Sequence, residues 1–110
     1  MELTANDQGE QVVVTLAEPR IDAAIATRFK DTMREIITKH RKPVLVDMRS
    51  VQFMDSSGLG AMIAVHKAMP QGVHLTLQDL TPDVMRVFRL TRMDSVFQIK
   101  ASGDQQEMTT

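Results

Sequence analysis

Asp55-Ser56-Ser57-Gly58-Leu59-Gly60 sets one carboxylate, two hydroxyls and two glycines between the apolar run Val44 to Met48 and a second apolar segment that starts at Leu59. Several chemistries use such a cluster. A hydrolytic serine on a strand-to-helix elbow requires Gly-x-Ser-x-Gly with a histidine and a carboxylate as partners. Here Met54 stands where the first glycine would be, and no histidine has a spacing that assigns it to Ser56 or Ser57. A phosphate-cradling loop needs Gly, four residues, then Gly-Lys-Ser/Thr, and the chain contains no such run. A plain helix cap uses Asp or Ser side chains to accept the first free amides, and all three polar residues fit that role. The remaining chemistry is modification: a serine on an exposed turn accepts a phosphate without any catalytic partner in its own chain.

The elements that would hold this cluster follow from periodicity. Gln11 to Ala17 is a β-branched run and predicts a buried strand, preceded by an edge strand around Glu2 to Asp7. From Asp22 to His40 the period lengthens, with Ile25, Phe29, Met33, Ile36 and Ile37 on one helical face. Val44 to Met48 predicts a second buried strand. A helix from Ser57 to Met69 then places Leu59, Met62, Ile63 and His66 inward and stops at Pro70. Val73 to Gln78 alternates like a strand. Thr81-Pro82-Asp83 opens a third helix, with a hydroxyl cap, a proline at the first turn and a carboxylate at the positive end of the dipole. Val84, Phe88 and Thr91 face inward, Met33, Met48 and Met85 join the core, and Ser95 to Ile99 forms the last strand. Strands alternating with helices predict an α/β fold, with strands parallel wherever a helix makes the crossover. The short link between the first two strands makes them antiparallel and the sheet mixed. Residues 1–100 read as one domain, and 101–110, polar and aperiodic, as a frayed tail.

Composition narrows the function. The 110 residues bury roughly 65% of their unfolded surface, enough for one core. A net charge of -1 gives no field that would draw in nucleic acid or an anionic membrane. There is no Cys, Trp or Tyr, which excludes thiolate metal sites and disulfides and leaves four Phe as a poor base-stacking surface. The polar start, Met1 to Glu10, lacks the pattern of a signal peptide, so the expected location is cytoplasmic. Asp22 and Asp55, with no third ligand in a motif, make a poor metal site. No cofactor is expected. Arg86, Arg89 and Arg92 read as a solvated stripe, His66 as a packing residue, and Met54 and Met62 as an adaptable surface flanking the hinge.

Phe53-Met54-Asp55-Ser56-Ser57-Gly58-Leu59-Gly60 resembles the signature of the anti-sigma factor antagonists, the stand-alone STAS domains of bacteria, and matches that octet in full. Arg20 to Met33 resembles the family's Leu-Asp and first helix, and Thr81 to Ile99 its last helix and strand, so the likeness spans Gln11 to Ile99. The chain departs from the pattern at Glu18-Pro19-Arg20, where the family often has Gly just before its Leu-Asp.

The resemblance implies a four- to five-stranded mixed sheet with helices against it, and a protein that binds rather than catalyses. It implies an anti-sigma factor that is also a serine kinase as partner, a metal-dependent serine phosphatase that reverses the modification, and no nucleic acid or membrane. The antagonist would be a monomer when free. It also implies Ser56 as phosphoacceptor, with Asp22, Asp55, Ser56, Ser57, Gly58, Leu59 and Gly60 as the partner-binding surface. The residues alone leave Ser56 and Ser57 open, since a helix extrapolated backward turns Ser57 outward and leaves Ser56 at the margin of the core. Two other readings stand beside this one: a STAS module with a non-sigma output in stress signalling or secretion control, and a small serine hydrolase.

Overall fold

The β-branched run forms the centre of the sheet. Val12–Leu16 (β2) buries Val12, Val14 and Leu16, while Val13 and Thr15 turn to the other face. Leu3–Asp7 (β1) pairs with it antiparallel, as its short connection requires. Val44–Asp47 (β4), Leu75–Gln78 (β6) and Gln98–Lys100 (β7) add on parallel, giving one five-stranded sheet in the order β1-β2-β4-β6-β7. The expected mixed α/β sheet is the one found. The computed structural model describes residues 1–102. Of the expected frayed tail, 103–110 lie outside the described residues.

Each parallel step is bridged by a helix: Ala26–His40 (α1), Ser56–Ala68 (α2) and Pro82–Leu90 (α3). Right-handed crossovers that always step in the same direction bring the three helices to one face of the sheet. There Phe29, Met33 and Ile37 of α1 meet Leu59, Met62 and Val65 of α2 and Val84 and Phe88 of α3, over Val14, Val46 and Leu77. Leu45 is buried on the opposite face, outside that cluster.

Several boundaries differ from those read in the sequence, each for a local reason. α1 begins at Ala26 rather than Asp22, because Asp22 first makes a turn: its side chain accepts from Ala24 N–H and its carbonyl from Ile25 and Ala26 N–H. It ends where Arg41 turns left-handed at φ 51° and donates to the Ile37 carbonyl. Thr81 precedes α3 but does not cap it with its side chain, since its hydroxyl donates to the Val51 carbonyl at 2.8 Å. Thr91 is exposed and Met85 half-buried, so neither is a core residue. A 3-10 turn over Met93–Ser95, following left-handed Arg92, takes up the start of the predicted last strand. Phe97 then packs edge-on against Phe88 and His66, with centroids 5.4 and 4.9 Å away, which accounts for His66 as a packing residue. Met54 and Met62 are buried in the core and form no contact surface.

Candidate functional site

Two strands of two residues each, too short to leave a period in the sequence, build the platform. Arg20–Ile21 (β3) pairs in parallel with Phe53–Met54 (β5), Arg20 beside Phe53 and Ile21 beside Met54. Ile21 and Met54 are buried and anchor the ribbon to the core. The Pro19 carbonyl accepts from Gln52 and Phe53 N–H and fixes its entry. On the outer side Phe53 remains 47% exposed, with the Arg20 guanidinium 5.5 Å from its ring centroid. Arg20 also lies 3.9 Å from the Asp22 carboxylate.

From β5 the chain passes into α2 through Asp55. One carboxylate oxygen of Asp55 accepts from Gly58 N–H at 2.9 Å and caps the helix. The other accepts from Ala23 N–H at 3.2 Å, across 32 residues of sequence. One side chain therefore joins the start of α2 to the loop that carries Asp22. Asp22 and Asp55 are neighbours through the Ala23 amide. Gly58 tightens the same junction: a Cβ there would run into the Ile21 carbonyl oxygen and lie 2.9 Å from its carbon. Neither Gly58 nor Gly60 has a positive φ, so the torsional freedom of glycine is not what these positions use.

The predicted surface residues separate into two groups. Ser56, Ser57 and Gly60 are exposed, Asp22 and Asp55 half-buried. Gly58 and Leu59 are buried beneath them in the free chain. Around Gly60 nothing lies within 4 Å of where a Cβ would be, leaving this face of α2 open. Arg20, Phe53 and the Ala23 amide belong to the same surface and were not singled out from the sequence. Phe53 lay within the recognised octet, but its exposure depends on the ribbon.

The three histidines have contacts elsewhere. His66 lies ten residues along α2 from Ser56, roughly 15 Å of helix rise, and rests on Phe97. His40 is 3.4 Å from Asp7, and His74 contacts Gln98. Among the described residues no group of three His, Asp or Glu side chains could hold a metal ion. Helix geometry leaves the amides of Ser56 and Ser57 without an intrahelical acceptor, beside two exposed serine side chains. The arrangement can present a serine to another protein's active site, with the surrounding backbone tied by the two hydrogen bonds to Asp55.

A family model, the STAS domain, matches residues 2–105. The chain belongs to the STAS domain family. An anti-sigma-B factor antagonist of Listeria monocytogenes is 30% identical to it over 81 residues, which is 73% of this chain and 71% of that one. The crystal structure of an anti-sigma factor antagonist from Mycobacterium paratuberculosis superposes with a TM-score of 0.84 at 18% identity, over 98% of this STAS chain and 92% of the other. SpoIIAA, a Bacillus cell fate determinant solved in its phosphorylated form, gives a TM-score of 0.68 at 15% identity over 99% and 100% of the two chains. These structural likenesses establish the STAS fold. No helix among the described residues is long and apolar enough to cross a membrane.

Proposed function

We propose that this STAS protein is an anti-sigma factor antagonist switched by phosphorylation of Ser56. The unmodified form binds an anti-sigma factor that is itself a serine kinase, and so releases the sigma factor. The kinase transfers the γ-phosphoryl of ATP to the Ser56 hydroxyl, and a serine phosphatase removes it. The protein acts as a cytoplasmic monomer without a cofactor and catalyses nothing itself.

The observation that carries this reading is the exposed Ser56-Ser57 pair on a helix start locked by Asp55. A kinase substrate needs an accessible hydroxyl at a defined place, and a binding surface needs fixed backbone. The antagonist of Listeria monocytogenes supports the choice of partner. The family resemblance of the octet favours Ser56 over Ser57. Asp22, Asp55, Ser56, Ser57 and Gly60 form the contact surface, supported from below by Gly58 and Leu59.

The test starts from a Ser56→Ala bait, which cannot be phosphorylated and so retains its partner. That partner, purified, is incubated with wild-type protein and ATP, and the product is mapped by mass spectrometry. Phosphate on Ser56 is the expected result. Phosphate only on Ser57, or a partner with no kinase activity toward this chain, overturns the assignment.

A further inference from the structure

The strongly basic side chains of the described surface differ in how firmly they are held. Arg49 is fixed between Asp47 and Asp79 at 3.1 and 3.3 Å, and Lys42 by Asp7 and the Gly9 carbonyl at 3.0 Å each. Arg86 pairs with Asp83 within its own helix. Arg20 is a cation on the β3–β5 ribbon beside the hinge. Its pair with Asp22 is long, at 3.9 Å, and its other contact is the face of Phe53. A guanidinium resting on a ring face and a distant carboxylate keeps most of its donors free.

Its position brings it toward Ser56. The parallel pairing of β3 and β5 sets Arg20 beside Phe53, about 4.8 Å away across the ribbon. Phe53 and Ser56 are three residues apart, a span of at most about 10 Å. Asp55, between them, is tied to the Asp22 loop by Ala23 N–H. Among the described residues, the charged groups that these links place beside Ser56 include Asp55 at the N-cap of α2, Asp22 on the adjoining loop and Arg20 on β3. A doubly charged phosphate competes with Asp22 for Arg20, and its three oxygens suit the planar fork better than a carboxylate at 3.9 Å.

We infer that Arg20 is the residue that receives the phosphate of modified Ser56. It leaves Asp22 and the Phe53 ring to do so. The phosphorylated surface then differs from the free one in two ways: the phosphate charge is partly neutralised within the chain, and Asp22 and Phe53 lose their cation. This rests on the assignment of Ser56 as phosphoacceptor and adds the group that reads the modification.

The experiment is independent of any kinase. Phosphoserine is placed at position 56 of the full chain during synthesis, in wild type, Arg20→Gln and Arg20→Lys backgrounds, and the phosphate is titrated by 31P NMR. Free phosphoserine has a second pKa of about 6. With Arg20 present that value falls at least about half a pH unit below the value in Arg20→Gln, because a nearby cation favours the dianion. Arg20→Lys lies between, and the difference shrinks as salt rises. Identical titrations in wild type and Arg20→Gln overturn the role of Arg20, whatever kinases act on the protein. Conversely, a cellular kinase that ignores Ser56 contradicts the function proposed above and leaves this comparison intact. Should Arg20→Gln fail to fold, Arg20→Lys against wild type decides the same question, with equal pKa and equal salt dependence contradicting a bidentate guanidinium contact.

Discussion

The carbonyl of Ile21 occupies the place a side chain on Gly58 would take, so β3 crosses the first turn of α2 at backbone distance. Two glycines that look equivalent in the sequence are therefore opposites. Gly58→Ala forces a methyl group onto a backbone oxygen that cannot swing away. It is expected to cost about 1–3 kcal/mol, as overpacking does, even after the gain in helix propensity. Gly60→Ala meets open space at an exposed helical position and is expected to stabilise by about 0.5–1 kcal/mol. Urea unfolding of the two variants checks both signs at once, and equal effects would contradict the crossing.

Gly60 lies on the open face of α2 that the proposed partner surface includes. A larger side chain there keeps the fold and obstructs the approach. Gly60→Gln is expected to weaken kinase binding at least tenfold, about 1.4 kcal/mol, with its unfolding midpoint close to wild type. Unchanged binding in a calorimetric titration places the contact surface elsewhere.

Asp55 holds two amides from different parts of the chain, Gly58 and Ala23. Removing the carboxylate in Asp55→Ala is expected to cost about 1 kcal/mol from the lost cap. It also unties the Asp22 loop from the serine pair, so the rate of phosphorylation by the partner kinase falls at least tenfold. A normal rate with only the stability loss reduces Asp55 to a cap.

Asp7 supplies a pH signature far from the hinge. The Gly9 N–H, then the Lys42 ammonium, hold its carboxyl below the ordinary carboxylate range. A depressed folded pKa gives stability that is present above the unfolded value, about 3.9, and lost as pH falls through the folded one. The stability gap between wild type and Asp7→Asn should therefore be open at pH near 5 and close toward pH near 2, measured by urea midpoints. A gap of constant size across that window removes the carboxylate as its cause.

The parts of this fold that were legible in the sequence are those with a strong period or composition. Val12 to Leu16 and Val44 to Val46 are β-branched or apolar throughout, and Phe29, Met33 and Ile37 mark one face of α1. What escaped depends on distant segments meeting. The β3–β5 ribbon has too few residues to show a period, yet it exposes Phe53 and sets Arg20 beside it. The hydroxyl of Thr81 satisfies the Val51 carbonyl instead of its own helix. α2 buries Ala61 and Val65 as well as Leu59 and Met62, because it is covered on more than one side, and that blurs a single inward stripe. At the site, the cluster of polar types and the inward turn of Leu59 were readable, but the burial of Gly58 required the crossing of Ile21.

The central claim is a local electrostatic switch at Ser56, and its most direct test is the affinity of the captured kinase for three forms of the chain. A phosphate adds about -1.5 to -2 charges. At roughly 5 Å and an effective dielectric near 20, each unit pair with an acidic partner group costs about 3 kcal/mol. Screening and Arg20 reduce this, and about 2 kcal/mol is already a roughly thirtyfold loss. Titration calorimetry should therefore give tight binding by wild type and Ser56→Ala, and binding at least thirtyfold weaker by the chain phosphorylated at Ser56. Circular dichroism should show all three folded alike. Full-strength binding by the phosphorylated chain would contradict the account.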